Sequence, residues 1–409
     1  MSDLKGIVYL RNKLNIKRVR VLTRYKYYEM KNGMRYMSTV IPEKFSWITS
    51  SLGWCANAVD SLADRLQFRT FANDNFDIMS IFQMNNPDVL FDSAILGALI
   101  SSCDFIYISR DEEGMPRLQV IDGGNATGII DPITGLLKEG YAVLERDDGN
   151  NPFSAPVLEA YFTPEYTRYY RKGEKRYQTV KNAAPYPLLV PIVYRPDAMR
   201  PFGHSVISRA CISYTQAALR TIFRSEVSAE FYSFPQKYVT GLEPDAEGFD
   251  NWKATISSFL RFDKDEDGDH PVLGQFSQQN MQPFTDQLRQ FASLFAGETG
   301  LTLDDMGFLQ DNPSSAEAIK ASHEKMRLKA RKAQRDFGSG FLNAGYLAAC
   351  VRDNFPYERR QVYLTTPKWM PIFEPDAAQL GSIGDAVVKL QQAFPDYFDE
   401  EKLLDLTGI

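Results

Sequence analysis

The chain has 409 residues, 44% hydrophobic and 24% charged, which is typical of a globular protein with two or three packed units. No apolar run reaches the ~18 residues that a membrane span requires, and the first residues lack the apolar core of a signal peptide. The net charge of −6 argues against a protein that wraps DNA tightly, because such binding depends on neutralising phosphates with cations.

Cysteine and histidine usage argues against metal and redox sites. The four cysteines (Cys55, Cys103, Cys211 and Cys350) are scattered without a Cys-x-x-Cys pair, so we expect reduced and mostly buried thiols. None of the three histidines lies within ten residues of another, so a His-rich metal site is not expected. We therefore expect no metal and no cofactor.

The N-terminal quarter of the chain is predicted to be helical. The segment from Lys5 to Lys31 carries nine basic residues and one acid. From Trp47 to Leu66 apolar residues recur at helical spacing, which predicts an amphipathic helix. The segment from Pro87 to Ser102 is apolar on most faces and predicts a second, buried helix.

From Phe105 onwards the hydrophobic period changes to that of β-strands. Short apolar runs separated by Gly, Pro, Asn and Asp predict a mainly antiparallel region that ends near Pro196. The predicted strands are 105–108, 118–121, 128–130, 140–145, 158–163, 167–171 and 176–180. Helical segments flank this region on both sides, so the predicted fold class is α+β.

Two further helices flank a small acidic unit. Ser205 is predicted to cap a helix that continues to about Phe231, and a second helix is predicted to begin at Pro283. Strand-like segments at 237–239 and 271–273 lie between them, on either side of a predicted helix and an acidic loop. The two flanking helices could run antiparallel as a stalk with this unit at its tip.

The clearest helix start in the chain lies at Asn312 to Glu317. Ser314 and Glu317 have the spacing of a capping box, and the pattern after them predicts one helix to about Cys350. The apolar stripe of this helix is Ile319, Met326, Ala330, Ala333 and Phe337. Its other faces carry Lys320, Lys325, Arg327, Lys329, Arg331, Lys332 and Arg335. Two short helices, 376–392 and 400–406, are predicted after Pro375.

No set of residues predicts an active site. Asp263 to Asp269 resembles the start of an EF-hand loop, but Gly274 stands where the bidentate Glu is needed, so a solvated acidic turn is favoured and cation binding stays open. His204 precedes Ser205 outside any nucleophile-elbow motif. We therefore expect a protein that is not an enzyme. The alternatives are a non-catalytic oligomeric scaffold and an α+β enzyme with a dispersed active site.

Four segments, taken in order, resemble the portal (head-to-tail connector) proteins of tailed bacteriophages, of the siphophage type. They are Tyr25–Glu29, Gly53–Leu66, Phe202–Tyr232 and Asp311–Ile319. The resemblance implies a protomer with a mixed α/β wing, an antiparallel helical stem pair, a small αβ clip and a long wing-crossing helix. The implied parts are the wing (1–202), the first stem helix (203–236), the clip (237–280), the second stem helix (281–298), the tunnel loop (299–314), the long helix with the rest of the wing (315–374) and a reduced crown (375–409).

The resemblance also implies function, partners and location. Portal proteins form a ring, typically of twelve subunits, at one capsid vertex, and double-stranded DNA passes through it without sequence specificity. The implied protein partners are the major capsid protein, the large terminase subunit and a head-tail adaptor protein. The implied location is the virion, with assembly in the host cytoplasm and no membrane.

Three groups of site residues follow from the resemblance. An acidic channel would repel or weakly hold the DNA polyanion and so let it slide. The DNA-facing tunnel loop would include Asp304, Asp305, Gln310, Asp311 and Asn312. Partner contacts in the clip would include Trp252, Asp263, Asp265, Glu266, Asp267 and Asp269. Subunit contacts of the long helix would include Lys320, Lys325, Arg327, Lys329, Arg331 and Arg335.

Overall fold

The computed structural model describes residues 4–34, 48–149, 151–233, 237–240, 272–275, 280–308, 321–373 and 377–393. The chain divides into two compact units. The first unit comprises Met1–Asn32, Gly53–Ile212 and Ala296–Ile409, and the second comprises Gly33–Leu52 and Ser213–Phe295. No helix within the described ranges combines the length and the apolar character needed to cross a bilayer.

The fold mixes helices and antiparallel sheets, as the α+β prediction requires. The helices are α1 (Ile7–Tyr28), α2 (Trp54–Ala63), α3 (Ile78–Gln83), α4 (Pro87–Ser101), α5 (Arg209–Ser233), α6 (Gln282–Thr299), α7 (Glu324–Arg352) and α8 (Ala377–Ala393). The strands are β1 (Phe68–Ala72), β2 (Cys103–Arg110), β3 (Pro116–Ile121), β4 (Ala126–Ile130), β5 (Leu137–Arg146), β6 (Pro156–Phe162), β7 (Tyr166–Arg171), β8 (Gln178–Lys181), β9 (Leu189–Val193), β10 (Lys237–Thr240), β11 (Val272–Gln275) and β12 (Thr366–Trp369).

The described part of the first unit contains three sheets. Strands β4 to β8 form a five-stranded meander in chain order, and β2 lies between β3 and β9 in a second sheet. Strand β1 pairs with the distant strand β12, so residues near 70 and near 367 of the chain are neighbours. All of these pairs are antiparallel, which confirms the β region that the sequence predicts between residues 105 and 196.

Helix α1 lies on the five-stranded sheet. Leu10 and Leu14 pack against Tyr141 and Tyr161 of β5 and β6, so the apolar face of this basic helix is buried. Glu139, which is buried in β5, accepts hydrogen bonds from the backbone N–H groups at the start of the helix and from the Tyr161 hydroxyl at 2.9 Å. The sheet therefore anchors the first turn of α1, where backbone N–H groups have no partner within the helix.

Helix α7 supplies the centre of the first unit. Almost every residue from Phe337 to Val351 is buried, which is more than an amphipathic stripe would bury. Gly345 allows a close approach to α3, because a β-carbon there would lie 2.1 Å from Cγ2 of Ile78. The side chains around α7 form an aromatic core made of Phe68, Phe71, Phe82, Phe91, Phe341 and Trp369.

One helix begins later than the sequence pattern predicts, and another is interrupted within the described residues. The helix predicted over Trp47 to Leu66 is α2, which begins only at Trp54, because Ile48 packs against Phe223 and Val227 in the second unit. The long helix predicted to run unbroken to Cys350 is interrupted at His323, and α7 starts at Glu324.

Ser205 is not the N-cap of α5, contrary to the prediction. Its hydroxyl donates to the carbonyl oxygen of Ile100 at 2.6 Å, near the end of α4, where carbonyl groups have no partner within the helix. Ser208 caps α5 instead, since its hydroxyl oxygen accepts the N–H of Cys211 at 3.2 Å. The cap thus lies three residues further along the chain.

The second unit contains most of α5 and α6 and the β10–β11 pair. Thr221 of α5 donates a hydrogen bond of 2.9 Å to the side-chain oxygen of Gln287 of α6, so the two helices contact each other. Strands β10 and β11 pair antiparallel, which confirms the two predicted strands at 237–239 and 271–273. The helix and acidic loop predicted between them lie outside the described residues.

Candidate channel-loop junction and subunit-contact residues

The predicted tunnel loop begins where α6 ends. Gly300 ends the helix with a positive φ of 87°, and its N–H bonds to the carbonyl oxygen of Ala296 at 2.8 Å. Glycine is the residue that accepts this left-handed conformation without strain, which explains its place directly after Thr299. The chain then makes a run of turns over residues 303–307.

Two lysines of α7 bond to the end of α6. Lys329 donates to the carbonyl oxygens of Glu298 at 2.9 Å and Thr299 at 2.6 Å, and Lys325 donates to that of Gly297. Cations near a helix C-terminus satisfy free carbonyls and interact favourably with the helix dipole. Burial lowers the pKa of Lys329 to about 8, and the positive charges of Lys325 and Arg195 act in the same direction.

Asp305 is held inside the loop. Its carboxylate accepts the N–H of Thr302 at 2.7 Å, and its own N–H donates to the Thr302 hydroxyl. The backbone carbonyl of Asp305 accepts the side-chain amide of Asn57 at 2.6 Å, and its carboxylate lies 3.5 Å from the His323 ring. Burial opposes ionisation of Asp305, but the Thr302 hydrogen bonds and the neighbouring His323 ring outweigh it and lower the pKa of Asp305.

Asp304 differs from Asp305 in its surroundings. Its side chain is exposed, whereas Asp305 is half-buried and hydrogen-bonded. Of the two predicted DNA-facing residues that the structure describes, Asp304 is therefore the exposed one and Asp305 is not. Gln310, Asp311 and Asn312 lie outside the described residues, and their channel-facing role stays a prediction.

The basic residues of α7 fall into two sets. Lys325 and Lys329 bond to α6, and Arg327 pairs with Glu324 one turn earlier at 2.7 Å, so these three cations have partners within the chain. Arg331 and Arg335 are exposed on the same helix. Whether any of them contacts another subunit stays a prediction, and Lys320 lies outside the described residues.

The predicted clip contacts also lie outside the described residues. These are Trp252, Asp263, Asp265, Glu266, Asp267 and Asp269. In the ranges that the structure describes, no group of three or more His, Cys, Asp or Glu side chains is arranged to hold a metal ion.

His204 and Ser205 face different partners. The His204 ring pairs with Asp197 at 2.6 Å, whereas the Ser205 hydroxyl donates to the carbonyl oxygen of Ile100. A serine nucleophile needs a base that accepts its proton. The Ser205 hydroxyl instead donates its hydrogen bond to a backbone carbonyl, which is not a base. The geometry therefore supports the structural interpretation of Ser205, although the cap it was expected to form belongs to Ser208.

The lysine contacts with α6 were not predicted from sequence. The residues at the end of α6 and those of α7 that touch them are about thirty positions apart, and no local pattern links them. The contact between Asn57 and Asp305 spans 248 positions and is likewise invisible to spacing rules. Only the abundance of lysine and arginine after residue 320 suggested that these side chains have partners.

Replacing Lys329 by methionine should lower the free energy of unfolding by about 1–2 kcal/mol at pH 9, since two hydrogen bonds to helix-end carbonyls are lost. The pKa of Lys329 is lower in the folded chain, so the folded state binds fewer protons between pH 8 and 10.5, and stability contributed by this group rises with pH there. The variant should lack this rise in denaturant titrations. Lys332→Met, at an exposed position, is the control; equal pH slopes in all three proteins would contradict the assignment.

Comparisons with known proteins place the chain in a family. A family model described as "Phage portal protein, SPP1 Gp6-like" matches residues 9–379. The portal protein of Mycobacterium phage L5 is 25% identical over 345 residues, which cover 79% of this chain and 69% of that protein. The portal protein of Mycobacterium phage D29 is 26% identical over the same coverage.

A solved structure shares the fold of this chain at low sequence identity. A chain from the neck of an empty GTA particle, computed with C6 symmetry, has a TM-score of 0.50 at 10% identity and covers 95% of this chain and 93% of its own length. A chain from the virion of a native gene transfer agent particle reaches a TM-score of 0.45 at 12% identity, with coverages of 95% and 99%. At 10% identity the likeness to the first of these two chains concerns the fold alone.

The fold and the family match define a component of the phage head-to-tail connection. They confirm the α+β fold class and the resemblance that four short segments suggested. The chain belongs to the phage portal protein family, in its SPP1 Gp6-like group.

Proposed function

We propose that this chain assembles into a closed ring at one capsid vertex and serves as the conduit for double-stranded DNA during packaging and ejection. The observation that carries the proposal is the family match over residues 9–379, which includes both units of the fold. The expected assembly is a ring of about twelve copies, the number that the family resemblance implies. Cyclic symmetry closes a heterologous contact without leaving a free end.

The channel surface is proposed to begin at Asp304. This exposed carboxylate follows the α6 end and precedes the residues Gln310, Asp311 and Asn312. Repeated around a ring, these acids and amides would give the channel wall a negative charge. The wall would then bind DNA phosphates weakly, because binding them depends on cations. Such a surface lets a polyanion slide, which a conduit requires.

The proposed wing, stem, clip, tunnel-loop and crown parts keep the boundaries given from sequence. In this proposal α5 and α6 are stem helices, and the segment between them, with its hairpin β10–β11, is the clip. The clip would meet the large terminase subunit during packaging and the head-tail adaptor protein afterwards, and the wing would contact the major capsid protein. The chain would act in the virion after assembly in the host cytoplasm.

The exposed cations of α7 are proposed as subunit contacts. Arg331 and Arg335 are exposed, whereas Lys325, Arg327 and Lys329 have partners within the chain. Ionic contacts at an exposed ring interface weaken as salt increases, because screening shortens their range. The assembly contribution of Arg331 and Arg335 should therefore fall with ionic strength.

Negative-stain imaging of the purified chain, combined with light scattering, tests the proposal. The expected result is annular particles with an axial hole and a mass that is a multiple of the chain mass. A compact monomer at all concentrations would reject the conduit and would favour a scaffold protein or an enzyme with a dispersed site.

A further inference from the structure

A large basic groove lies along α1 in the first unit. Its volume is about 890 Å³, and it runs between α1 and the segment from Met199 to Ala210. The basic side chains that line it are Lys13, Lys17, Arg20, Arg24, Arg200 and Arg209. His204 also lines it, and its ring pairs with Asp197. In the described part of the chain one acid lines it, Glu298, which is already hydrogen-bonded to Ser208 at 2.9 Å.

The buried end of this groove contains polar atoms without partners. The Lys17 ammonium is shielded from solvent and makes no hydrogen bond to any described residue, and the Thr127 hydroxyl is in the same condition. The Lys17 ammonium lies 5.1 Å from the ring centroid of Phe105 and 5.4 Å from that of Phe202. Buried polar groups are normally hydrogen-bonded, so an unpaired ammonium beside an open groove points to an absent acceptor.

Two carboxyl groups, those of Asp104 and Asp122, interact with this lysine electrostatically but accept no hydrogen bond from it. Asp104 is fully buried, and it accepts hydrogen bonds from Ser101 at 2.8 Å and from the N–H of Gly123 at 2.9 Å. Burial raises the pKa of Asp104 to about 8, and the negative charge of Asp122 adds to the effect. Burial thus disfavours the charged form of both Asp104 and Lys17, since it also lowers the pKa of Lys17.

Two further cations of the groove, Lys13 and Arg24, form no ion pair within the described residues. Lys13 and Arg24 donate to backbone carbonyls, those of Gly128 and Ser101, which carry no net charge. Burial lowers the pKa of Arg24 to about 10, and the charges of Arg20 and Arg200 act in the same direction. Within the described residues these cations repel one another, and an anion in the groove would relieve that repulsion.

The groove is suited to a polypeptide more than to a small anion. Two apolar side chains on its walls are strongly exposed: Met199 at 91% and Ile16 at 67%. A phosphate or a nucleotide phosphate chain would leave these apolar groups in water, whereas a protein surface with acids and apolar groups would cover them. The occupant should therefore combine negative charge with apolar side chains.

Another face of the same unit has this complementary composition. Asp64, at the end of α2, and Asp88 and Asp92 of α4 are exposed and form no ion pair within the described ranges; we call them the acidic patch. Burial raises the pKa of Asp92, and the charges of Asp88 and Asp64 act in the same direction, so the three repel one another. Val89 lies between two of them in sequence and is 60% exposed.

We propose that the basic groove of one copy receives the acidic patch of a neighbouring copy. Each copy carries both surfaces, so the contact is heterologous, and cyclic repetition closes it into a ring. Lys17 and the other groove cations then gain acidic neighbours beyond Asp104 and Asp122 of their own chain, and the exposed apolar groups of the two surfaces cover each other. The inference rests on the proposed ring function and adds the surfaces that join its subunits.

Charge reversal on each surface, followed by recombination, tests the inference. The groove variant is Arg20→Glu with Arg209→Glu, and the patch variant is Asp64→Lys with Asp92→Lys. Each should reduce ring yield at least about tenfold in light scattering and negative-stain counts, because like charges then face each other. The variant that combines all four substitutions should recover rings, since opposite charges face each other again.

Matched controls separate this contact from general effects of charge. Glu112→Lys with Glu113→Lys, and Lys175→Glu with Arg176→Glu, change the charge equally at exposed turns and should leave ring yield unchanged. The milder variant Arg20→Gln with Arg209→Gln should reduce the yield while keeping the thermal unfolding temperature of the parent. This variant keeps the test valid if a reversal variant fails to fold.

The outcomes of the inference and of the proposed function can be told apart. Rings from the parent together with normal rings from the groove and patch variants would overturn the inference and leave the ring intact. A combined variant that is folded but does not assemble would also overturn it. Absence of rings from the parent chain itself would reject the proposed function instead.

Discussion

Replacement of Phe341 by alanine should lower the free energy of unfolding by about 3–5 kcal/mol, the usual cost of removing a fully buried phenylalanine. The side chain is 0% exposed on α7. Its ring centroid lies 4.7 Å from that of Phe91 and 5.7 Å from that of Phe68, both in edge-on geometry, and 6.2 Å from that of Trp369. The substitution would thus open a cavity where α4, α7 and the β1–β12 pair meet.

Chemical denaturation followed by circular dichroism measures this loss. Phe355→Ala is the matched control, since Phe355 follows the end of α7 and is 55% exposed, so its removal should cost less than about 1 kcal/mol. Equal losses for the two variants would contradict the aromatic core described above. A loss near zero for Phe341→Ala would show that α7 does not pack as the structure has it.

Replacement of Gly203 by alanine should have an effect of similar size for a different reason. Gly203 has a positive φ of 70°, and a β-carbon there would lie 2.0 Å from the backbone carbonyl oxygen of Tyr194. That oxygen accepts the N–H of His204 at 2.9 Å, so the backbone would have to move and the hydrogen bond would be lost. Strain, clash and the lost bond together should cost about 3 kcal/mol or more.

The expected result is a lower unfolding temperature and loss of protection from hydrogen exchange at His204. Gly149→Ala is the control, because Gly149 lies in the same unit, has open space around it and has no positive φ. It should be nearly neutral. A Gly203→Ala protein as stable as the Gly149→Ala protein would show that the two backbone segments do not approach as closely as described.

Local patterns in the sequence predicted the elements whose signals are local. Alternating runs between turn residues predicted most strands of the five-stranded sheet, and the apolar segment 87–102 predicted α4. The pairing of β1 with β12 was not predicted, because these short strands lie almost 300 positions apart and their apolar content is ordinary. Such a pair is specified by packing against the aromatic core, which no window of residues contains.

For the N-cap of α5, the sequence predicted the correct residue type, a serine, at the wrong position. Both Ser205 and Ser208 precede α5, and either suits an N-cap by residue type. Ser208 is the N-cap, because the Ser205 hydroxyl already donates a hydrogen bond to a carbonyl group at the end of α4. A competing tertiary partner therefore decided between two equivalent local signals.

The candidate site was only partly accessible from sequence. The acidic character of the loop was visible, but the distinction between exposed Asp304 and hydrogen-bonded Asp305 depends on Thr302, Asn57 and His323. The basic segment from Lys5 to Lys31 was also visible as a composition. That its cations line a groove with few acids became apparent only once α1 was placed against residues 199–210.

A cryo-EM reconstruction of the assembled chain tests the central claim most directly. We expect a closed ring whose axial channel admits duplex DNA, with Asp304 and the residues that follow it lining the channel wall. An open filament, a monomer, or a ring in which this loop lies on the outer rim would contradict the account.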